Sequence, residues 1–485
     1  MSSKSDRKQI EAHGLTVKTA ERQLGFLRSP PPRLRLDRPC TPGDGVISLA
    51  AEDHPRLLRR YERAAGAGRL TKFVPASGAA SRMFQSLLAM MQHPARDDRE
   101  ALERLAMEGE PSPEALLRLI DARDRFPFRD AWEKALAGEG GLESTCADGR
   151  FGAVLRALLF SPGLDLTTRP KGLISFHRYP DGPRTAFEEH LVEGMAYLLD
   201  GERTARFHFT VSPEHRAAFE TTWKRVGAGY EERFLSRCRI DYSHQDPSTD
   251  TVALDTDSNC FRRADGGLLF RPGGHGSLLR NLADLDADVV LIKNIDNVVP
   301  DERKAPTILW KKLLVGLLVE LQETAFSVLE DLEAGAPGTI DRGLRFAAER
   351  FGNARAKRLL AGREGDSGGT GRIADSDAEA GAFLRDRLER PLRVCGVVRN
   401  EGEPGGGPFW VLDDQGEPTP QIVERSEVDT DSEEQQVLLR RATHFNPVDL
   451  VCGVRDHRGK PFPLERFVNP EAVFIAEKSH EGRPL

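Results

Sequence analysis

One stretch constrains this chain more than any other: Arg271 to Val299, RPGGHGSLLRNLADLDADVVLIKNIDNVV. Pro272-Gly273-Gly274-His275-Gly276 is too rich in glycine for regular structure, and its missing side chains let a backbone approach a ligand closely. Ser277 to Leu285 places Leu278, Leu279, Leu282 and Leu285 at helical spacing, with Ser277 as a cap. Asp288 to Ile295 is a short β-branched run, the pattern of a buried strand, and it ends in Asn294-Ile295-Asp296-Asn297. A glycine loop, a helix and a strand tipped by a carboxylate suit a nucleotide site, because ligands of open α/β sheets lie at the carboxyl ends of the strands.

The rest of the composition fits such a fold. At 485 residues the chain has room for two or three domains. A formal net charge of −7 argues against a broad nucleic-acid footprint, so no nucleic-acid partner is expected. No run approaches the roughly 20 apolar residues of a membrane span, the opening MSSKSDRKQIEAHG does not read as a signal peptide, and no membrane partner is expected. The six cysteines are scattered without a close pair, which fits a reducing, cytoplasmic setting.

Taken in order, residues 5–28 and 50–66 read as helices of an N-terminal extension, 1–62, that carries no evident chemistry. Lys72 to Pro75 reads as a strand running into Ser77-Gly78-Ala79-Ala80-Ser81-Arg82, and a helix follows from Gln85. Free N–H groups at a helix start favour anions, and Arg82 adds a forked cation. The loop lacks the Gly-Lys-Ser/Thr of a P-loop. Residues 95–160 read as helices and lead to Arg169-Pro170-Lys171. A helix over Thr185 to Leu199 with a structural His190, a strand over Arg206 to Val211, a helix to Val226 and a strand over Arg239 to Ser243 predict a mostly parallel sheet. Thr251 to Leu254 and Gly267 to Phe270 read as a hairpin, Lys304 to Leu332 and Ile340 to Leu360 as long helices, and 361–378 as a flexible linker. Beyond a helix at Glu379 to Arg387, the chain turns β-rich.

Several of these segments resemble sugar nucleotidyltransferases. The Pro-Gly-Gly-His-Gly loop followed by a strand ending in Asn-Ile-Asp-Asn is similar to the UDP-sugar pyrophosphorylases. Ser77 to Met83 resembles the Gly-x-Gly-Thr-Arg loop that opens such enzymes, with Ala80 in place of the second glycine. Pro170-Lys171 resembles their phosphate-binding Pro-Lys, and the resemblance implies that residues 85–168 are a helical insertion that returns the chain to the same place. Gln245 stands where the family has a glutamine near the uracil, and an amide can both donate to and accept from that base. Gln421 to Glu427 resembles the Val-Val-Glu-Tyr-Ser-Glu strand of UDP-N-acetylhexosamine pyrophosphorylases, with Arg425 replacing the tyrosine, and Asn446 stands where that family also has an asparagine. Over its whole length, through Val-Pro-Ala-Ser-Gly-Ala-Ala-Ser-Arg-Met-Phe and Phe-Arg-Pro-Gly-Gly-His-Gly, the chain is similar to the bacterial family catalogued as the domain of unknown function numbered 4301.

The resemblance implies a Rossmann-like α/β fold with a mixed, mainly parallel sheet of the nucleotide-diphospho-sugar transferase type. A nucleotidyltransferase-like domain would span 63–345, a helix and linker 346–378, and a β-rich C-terminal region 379–485. It implies transfer of a nucleotide from UTP to a sugar 1-phosphate. Arg82 and Lys171 would be catalytic cations. Ser77, Gly78, Ala79, Ala80, Ser81, Gln245, Gly273, Gly274, His275 and Gly276 would surround the nucleotide, Glu424 and Asn446 the sugar, and Asp296 would hold Mg²⁺. A glycosyltransferase on the same fold, or a non-catalytic nucleotide-sugar sensor, would use the same loops.

Overall fold

A computed structural model of the protein describes residues 4–485 apart from residues 79, 366–369, 404, 414–415, 474 and 481–482. Residues 81, 82, 275, 364–365, 370–376 and 479 are described by their backbone alone. Among the described residues, no helix is long and apolar enough to cross a membrane.

The centre is a six-stranded sheet built from β1 (Leu70–Pro75), β2 (Thr204–Thr210), β3 (Arg237–Ser243), β4 (Val289–Lys293), β5 (Leu392–Cys395) and β6 (Asp449–Gly453). Its spatial order is β3-β2-β1-β4-β6-β5. The first four strands of that order run parallel, and β6 runs antiparallel to both its neighbours. The expected mixed, mainly parallel α/β sheet is therefore present. Chain order grows outward from β1 in one direction through β2 and β3, then jumps back to β4 on its other side. This reversal makes the β1/β4 boundary the topological switch point.

Alternation along the strands sorts the two faces. Leu70, Val74, Val289 and Leu291 face one core with Phe207 and Phe209, covered by α1 (Ala186–Met195) and α2 (Lys304–Glu333) through Phe187, Leu191, Met195, Val315 and Leu318. Phe73, Val290 and Cys452 face the other core, covered by Leu278 and by Phe462 and Leu464. The helix α1 starts at a capping box formed by Thr185 and Glu188. Every one of its ten residues is buried, so it is a pillar under the sheet rather than an amphipathic surface helix.

One buried carboxylate crosses from this pillar to the sheet. Glu193 lies 3.0 Å from Lys72 Nζ on β1 and 2.7 Å from Lys293 Nζ on β4, and it accepts a hydrogen bond of 2.9 Å from Tyr197 Oη. Burial pushes the Glu193 carboxyl up, but the two ammonium groups outweigh it and hold it well below the usual carboxylate range. Burial pushes Lys72 down to about 7, against the pull of Glu193.

Residues 85–168 are mostly helical and have their own core around Trp132, Phe151, Leu116 and Leu155, which Ala80 and Ile174 join at its root. Elsewhere the chain is more interwoven than the sequence predicts. The N-terminal extension contains a strand, Arg35–Pro39, paired with Gly407–Leu412. Its helix His54–Gly66 packs so closely on α2 that a side chain at Gly316 would collide with the Leu57 carbonyl. The sheet takes β5 and β6 from beyond residue 378. The long helix expected over 340–360 breaks into Thr339–Arg350 and Ala354–Gly365 at Gly352, which sits at φ +62° against Trp410. The expected linker is helical in its described parts, because Ala380, Phe383 and Leu384 pack on Leu344 and Val328. Arg363 further joins Asp341, at 2.7 Å, to Asp377.

Replacing Glu193 with Gln keeps the shape but strands two buried ammonium groups. The expected loss of stability is about 3–5 kcal/mol, read as a lower urea midpoint. The triple replacement Glu193→Leu, Lys72→Met, Lys293→Met should recover most of it, since an apolar set of similar volume removes the unpaired charges together.

Candidate functional site

The carboxyl ends of β1 and β4 lie side by side at the switch point. Each is pinned from a different direction. Beyond β1, Ala76 donates to Thr210 O at 2.8 Å, and Ser212 Oγ donates to Ser77 O at 3.1 Å, so the loop is tied to the end of β2. The returning chain closes the other side: Lys171 N donates to Gly78 O at 3.2 Å, and Ala80 N donates to Arg169 O at 3.3 Å. Thus the insertion does bring Lys171 back to the loop. Ala79 lies outside the described residues, as do the side chains of Ser81 and Arg82; the backbone of residues 80–84 forms a 3-10 turn that leads into the helix Gln85–Met90.

Beyond β4, His190 on α1 lies with Nε2 at 3.1 Å from both the Asn294 and Ile295 carbonyls. Two acceptors at one nitrogen require that nitrogen to carry the proton. Burial, reinforced by the nearby Lys72 charge, pushes the ring well below its ordinary pKa, so it stays neutral. The expected structural role of His190 is thereby specific: it holds the strand end from which Asp296 projects. Asp296 is exposed, and its Oδ2 lies 2.7 Å from Lys171 Nζ. The two residues chosen from sequence as the phosphate cation and the metal carboxylate therefore form an ion pair.

The glycine loop lies over the far side of the same sheet end. Asn281 Nδ2 donates at 2.8 Å to Ser243 Oγ and to His244 O, which anchors the loop to the end of β3. Arg280 bonds Asp246 at 3.0 Å and Ser248 Oγ at 2.9 Å. Among the described residues a Cβ at Gly78 or Gly276 would meet nothing within 4 Å, so these backbones border open space, whereas Gly273 packs on Thr249 O and Ser277. The His275 side chain lies outside the described residues. The expected helix over 277–285 is shorter, Leu279–Ala283, because Ser277 Oγ turns back to Gly274 O and the start is a 3-10 turn. Gln245 follows β3 and donates to Asp250 Oδ1 at 3.3 Å. Among the described residues three buried polar atoms near these strand ends, Thr210 Oγ1, Asn294 Oδ1 and Asn281 Oδ1, have no hydrogen-bond partner.

Of the C-terminal candidates, Asn446 lies just before β6. Asn297 Nδ2 donates to Pro447 O at 2.8 Å, adjacent to Asn446. Asn446 is buried; its Nδ2 donates to Gly396 O at 2.5 Å and its Oδ1 accepts from Val448 N at 3.0 Å. Its amide is engaged by backbone at both ends, so Asn446 shapes the rim and does not reach outward. Its own N–H bonds Gly406 O at 2.8 Å, and a Cβ at Gly406 would lie 3.6 Å from Glu424 Cγ. Glu424 and Arg425 line a groove of about 560 Å³ with Arg440, His444 and Phe445.

Sequence reading missed a polar network beside the site. Glu189, fully buried, accepts from His177 Nδ1 at 2.9 Å and Tyr179 Oη at 2.7 Å and pairs with Lys304. Lys304 also bonds Asp301 at 2.8 Å, and Asp301 pairs with Arg184 at 2.9 Å. This network fixes the hairpin of Ser175–Tyr179 and Gly182–Thr185, expected only as a turn, against the chain that follows Asp296. Among the described residues no group of three His, Cys, Asp or Glu side chains is placed to hold a metal ion. A cation at Asp296 would need most of its ligands from phosphate or water.

Fold and site together define an α/β protein whose candidate site lies at the switch point of a mainly parallel sheet. Its sequence matches the family model described as "Domain of unknown function (DUF4301)" over residues 3–485, and the chain belongs to that family. No curated protein matches it. Among solved structures it is similar to the uridine diphosphate N-acetylglucosamine pyrophosphorylase from Trypanosoma brucei in complex with inhibitor, with a TM-score of 0.45 and 12% sequence identity over 100% of this chain and 68% of that chain.

His190→Leu should leave the Ile295 carbonyl unpaired, at about 1–3 kcal/mol, while the Asn294 carbonyl keeps the Asn297 N–H at 3.1 Å. His190→Gln can still donate, and its thermal midpoint should fall between those of the leucine variant and the wild type.

Proposed function

We propose that the protein is a nucleotidyltransferase that joins a sugar 1-phosphate to UTP, giving a UDP-sugar and pyrophosphate. The observation that carries this reading is the meeting of three segments that the resemblance to sugar nucleotidyltransferases marks. The loop at Gly78, Lys171 and Asp296 come from distant parts of the chain, yet Lys171 bonds Gly78 O through its backbone and Asp296 through its side chain. The sequence resemblance supplies the substrate class.

In this reading the sugar phosphate oxygen attacks the α-phosphorus in line, a new P–O bond forms, and the bond to the β-phosphate oxygen breaks. The step needs positioning and charge neutralisation more than a covalent nucleophile. Backbone N–H groups around Ser77 to Ser81, with Arg82, hold the leaving pyrophosphate. Lys171 follows the charge that develops on it. A single exposed carboxylate such as Asp296 fits Mg²⁺, which commonly takes one or two carboxylates and completes its shell with phosphates and water. When bound, Mg²⁺ supplies charge neutralisation at the phosphates. Gly276 leaves room for the nucleoside beside Gln245. Glu424 receives sugar hydroxyls, and Asn446 keeps that rim in place.

UTP with Mg²⁺ at a hundred times its Kd should stabilise the protein by about 2.7 kcal/mol, visible as a raised melting temperature. Pyrophosphate should appear when a matching sugar 1-phosphate is added; release of a nucleoside diphosphate from a nucleotide-sugar would indicate glycosyl transfer instead. Asp296→Asn should lower turnover by about a hundred-fold or more, because the metal acts on transition-state charge, while the melting temperature changes little. Wild-type turnover in that variant would remove Asp296 from the mechanism.

The Lys171–Asp296 pair gives a further expectation. Without nucleotide, Lys171 competes with a cation for Asp296, and a part-exposed pair is worth about 0–1 kcal/mol. Lys171→Met should therefore bind Mn²⁺ alone up to about five-fold more tightly in titration calorimetry, yet bind UTP more weakly. The gain should vanish in the double variant with Asp296→Asn.

A further inference from the structure

The N-terminal helices reach the nucleotide end of the site. Lys4–Ala12 and Val17–Arg28 cover the hairpin of Thr251–Val252 and Phe270–Arg271 through Ile10, Leu15, Ala20 and Leu24, packed on Val252 and Leu268. The second strand of that hairpin runs directly into Pro272 and the glycine loop. At the bend between the two helices, His13 stacks on Phe270 with ring centroids 4.0 Å apart and planes 8° from parallel. Its Nε2 lies 2.9 Å from Asp250 Oδ2. The other oxygen of Asp250 receives Gln245 Nε2 at 3.3 Å. Gln23 holds the backbone on both sides: its Nε2 donates to Asp250 O at 2.9 Å and its Oε1 accepts from Val252 N at 3.4 Å.

This arrangement sets the direction of one amide. An ionised carboxylate only accepts hydrogen bonds, so Gln245 must turn its NH₂ toward Asp250. A half-turn about the last torsion would press Oε1 against the carboxylate. Among the described residues no side chain or backbone donor engages Oε1, so the free end of the amide is an acceptor. An acceptor at this position suits a base carrying an imide N–H, as at N3 of uracil or thymine. It repels a pyrimidine whose N3 is itself an acceptor, as in cytosine. Were the amide free to turn, its NH₂ could serve cytosine equally well.

We propose that Asp250, held by His13, locks Gln245 as an acceptor and so makes the nucleotide site select a uracil-type base over cytosine. His13 and Asp250 are positioning residues that act through Gln245. The inference rests on the nucleotide-binding reading above.

The test is calorimetric titration of the full-length protein with UTP and with CTP in the presence of Mg²⁺. The wild type should favour UTP. In Asp250→Asn the carboxamide can donate as well as accept, Gln245 can turn, and the UTP-to-CTP affinity ratio should shrink by about ten-fold, mostly through tighter CTP binding. His13→Ala should shrink it in the same direction, and His13→Gln, which keeps a donor, should restore it. A purely structural role would weaken both nucleotides together and leave the ratio unmoved. An unchanged ratio in Asp250→Asn and His13→Ala, or a wild type indifferent to the base, overturns this inference and leaves nucleotide binding standing. A wild type that binds no nucleotide at all overturns both.

Discussion

The Glu193 carboxylate is the interaction on which the rest of the architecture depends. It stands on a wholly buried helix and holds one lysine from each of the two strands that border the switch point. A buried charge costs several kcal/mol to desolvate, and here two cations and a tyrosine hydroxyl offset that cost. The geometry leaves little freedom. Sliding α1 by one residue would carry Glu193 away from both lysines and His190 away from the two carbonyls it supports. The buried network thus sets where α1 lies, and α1 sets where the Asp296 strand end lies. Asp296 stands exposed beyond this rigid polar joint, paired with Lys171.

What was legible in the sequence was local. The glycine loop, the strand Val289–Lys293 and its Asn-Ile-Asp-Asn end form one continuous stretch, and apolar periodicity alone places them. The parallel sheet also followed from strand and helix alternation. Lys72 and Lys293 gave a weak sign, each being a lysine inside an apolar strand. Their shared partner lies 121 and 100 positions away on a helix whose own pattern reads as ordinary. No spacing rule links them. The same limit hid the strand Arg35–Pro39, whose partner begins at Gly407, and the packing that keeps Thr370–Leu388 helical where Gly, Ser and Asp suggested a linker. Asn446 shows a different limit: residue type matched a ligand contact, but burial and two backbone bonds give its amide another task.

The N-terminal segment illustrates how a region without a chemical motif acquires a role through contact. Its helices present no nucleophile or metal ligand set. Yet they supply the His13 ring that stacks on Phe270 and bonds Asp250, next to the loop with the strongest sequence signal. Its strand and its third helix also stitch the beginning of the chain to Gly407–Leu412 and to α2.

The root of the helical insertion has a consequence of its own. Chain leaves the sheet beyond Gly78 and returns at Lys171, and the backbone bonds across that throat join neighbours on the way out to neighbours on the way back. Between them lies a body with its own hydrophobic core. A segment anchored in this way is exchangeable. It can be lengthened, trimmed or replaced by another helical unit without disturbing strand order, so long as the two stumps meet and Lys171 stays beside Gly78. Divergence within such a protein should therefore collect in the insertion's outer helices while the throat stays fixed, and a graft that closes the throat would turn this domain into a scaffold for new surfaces.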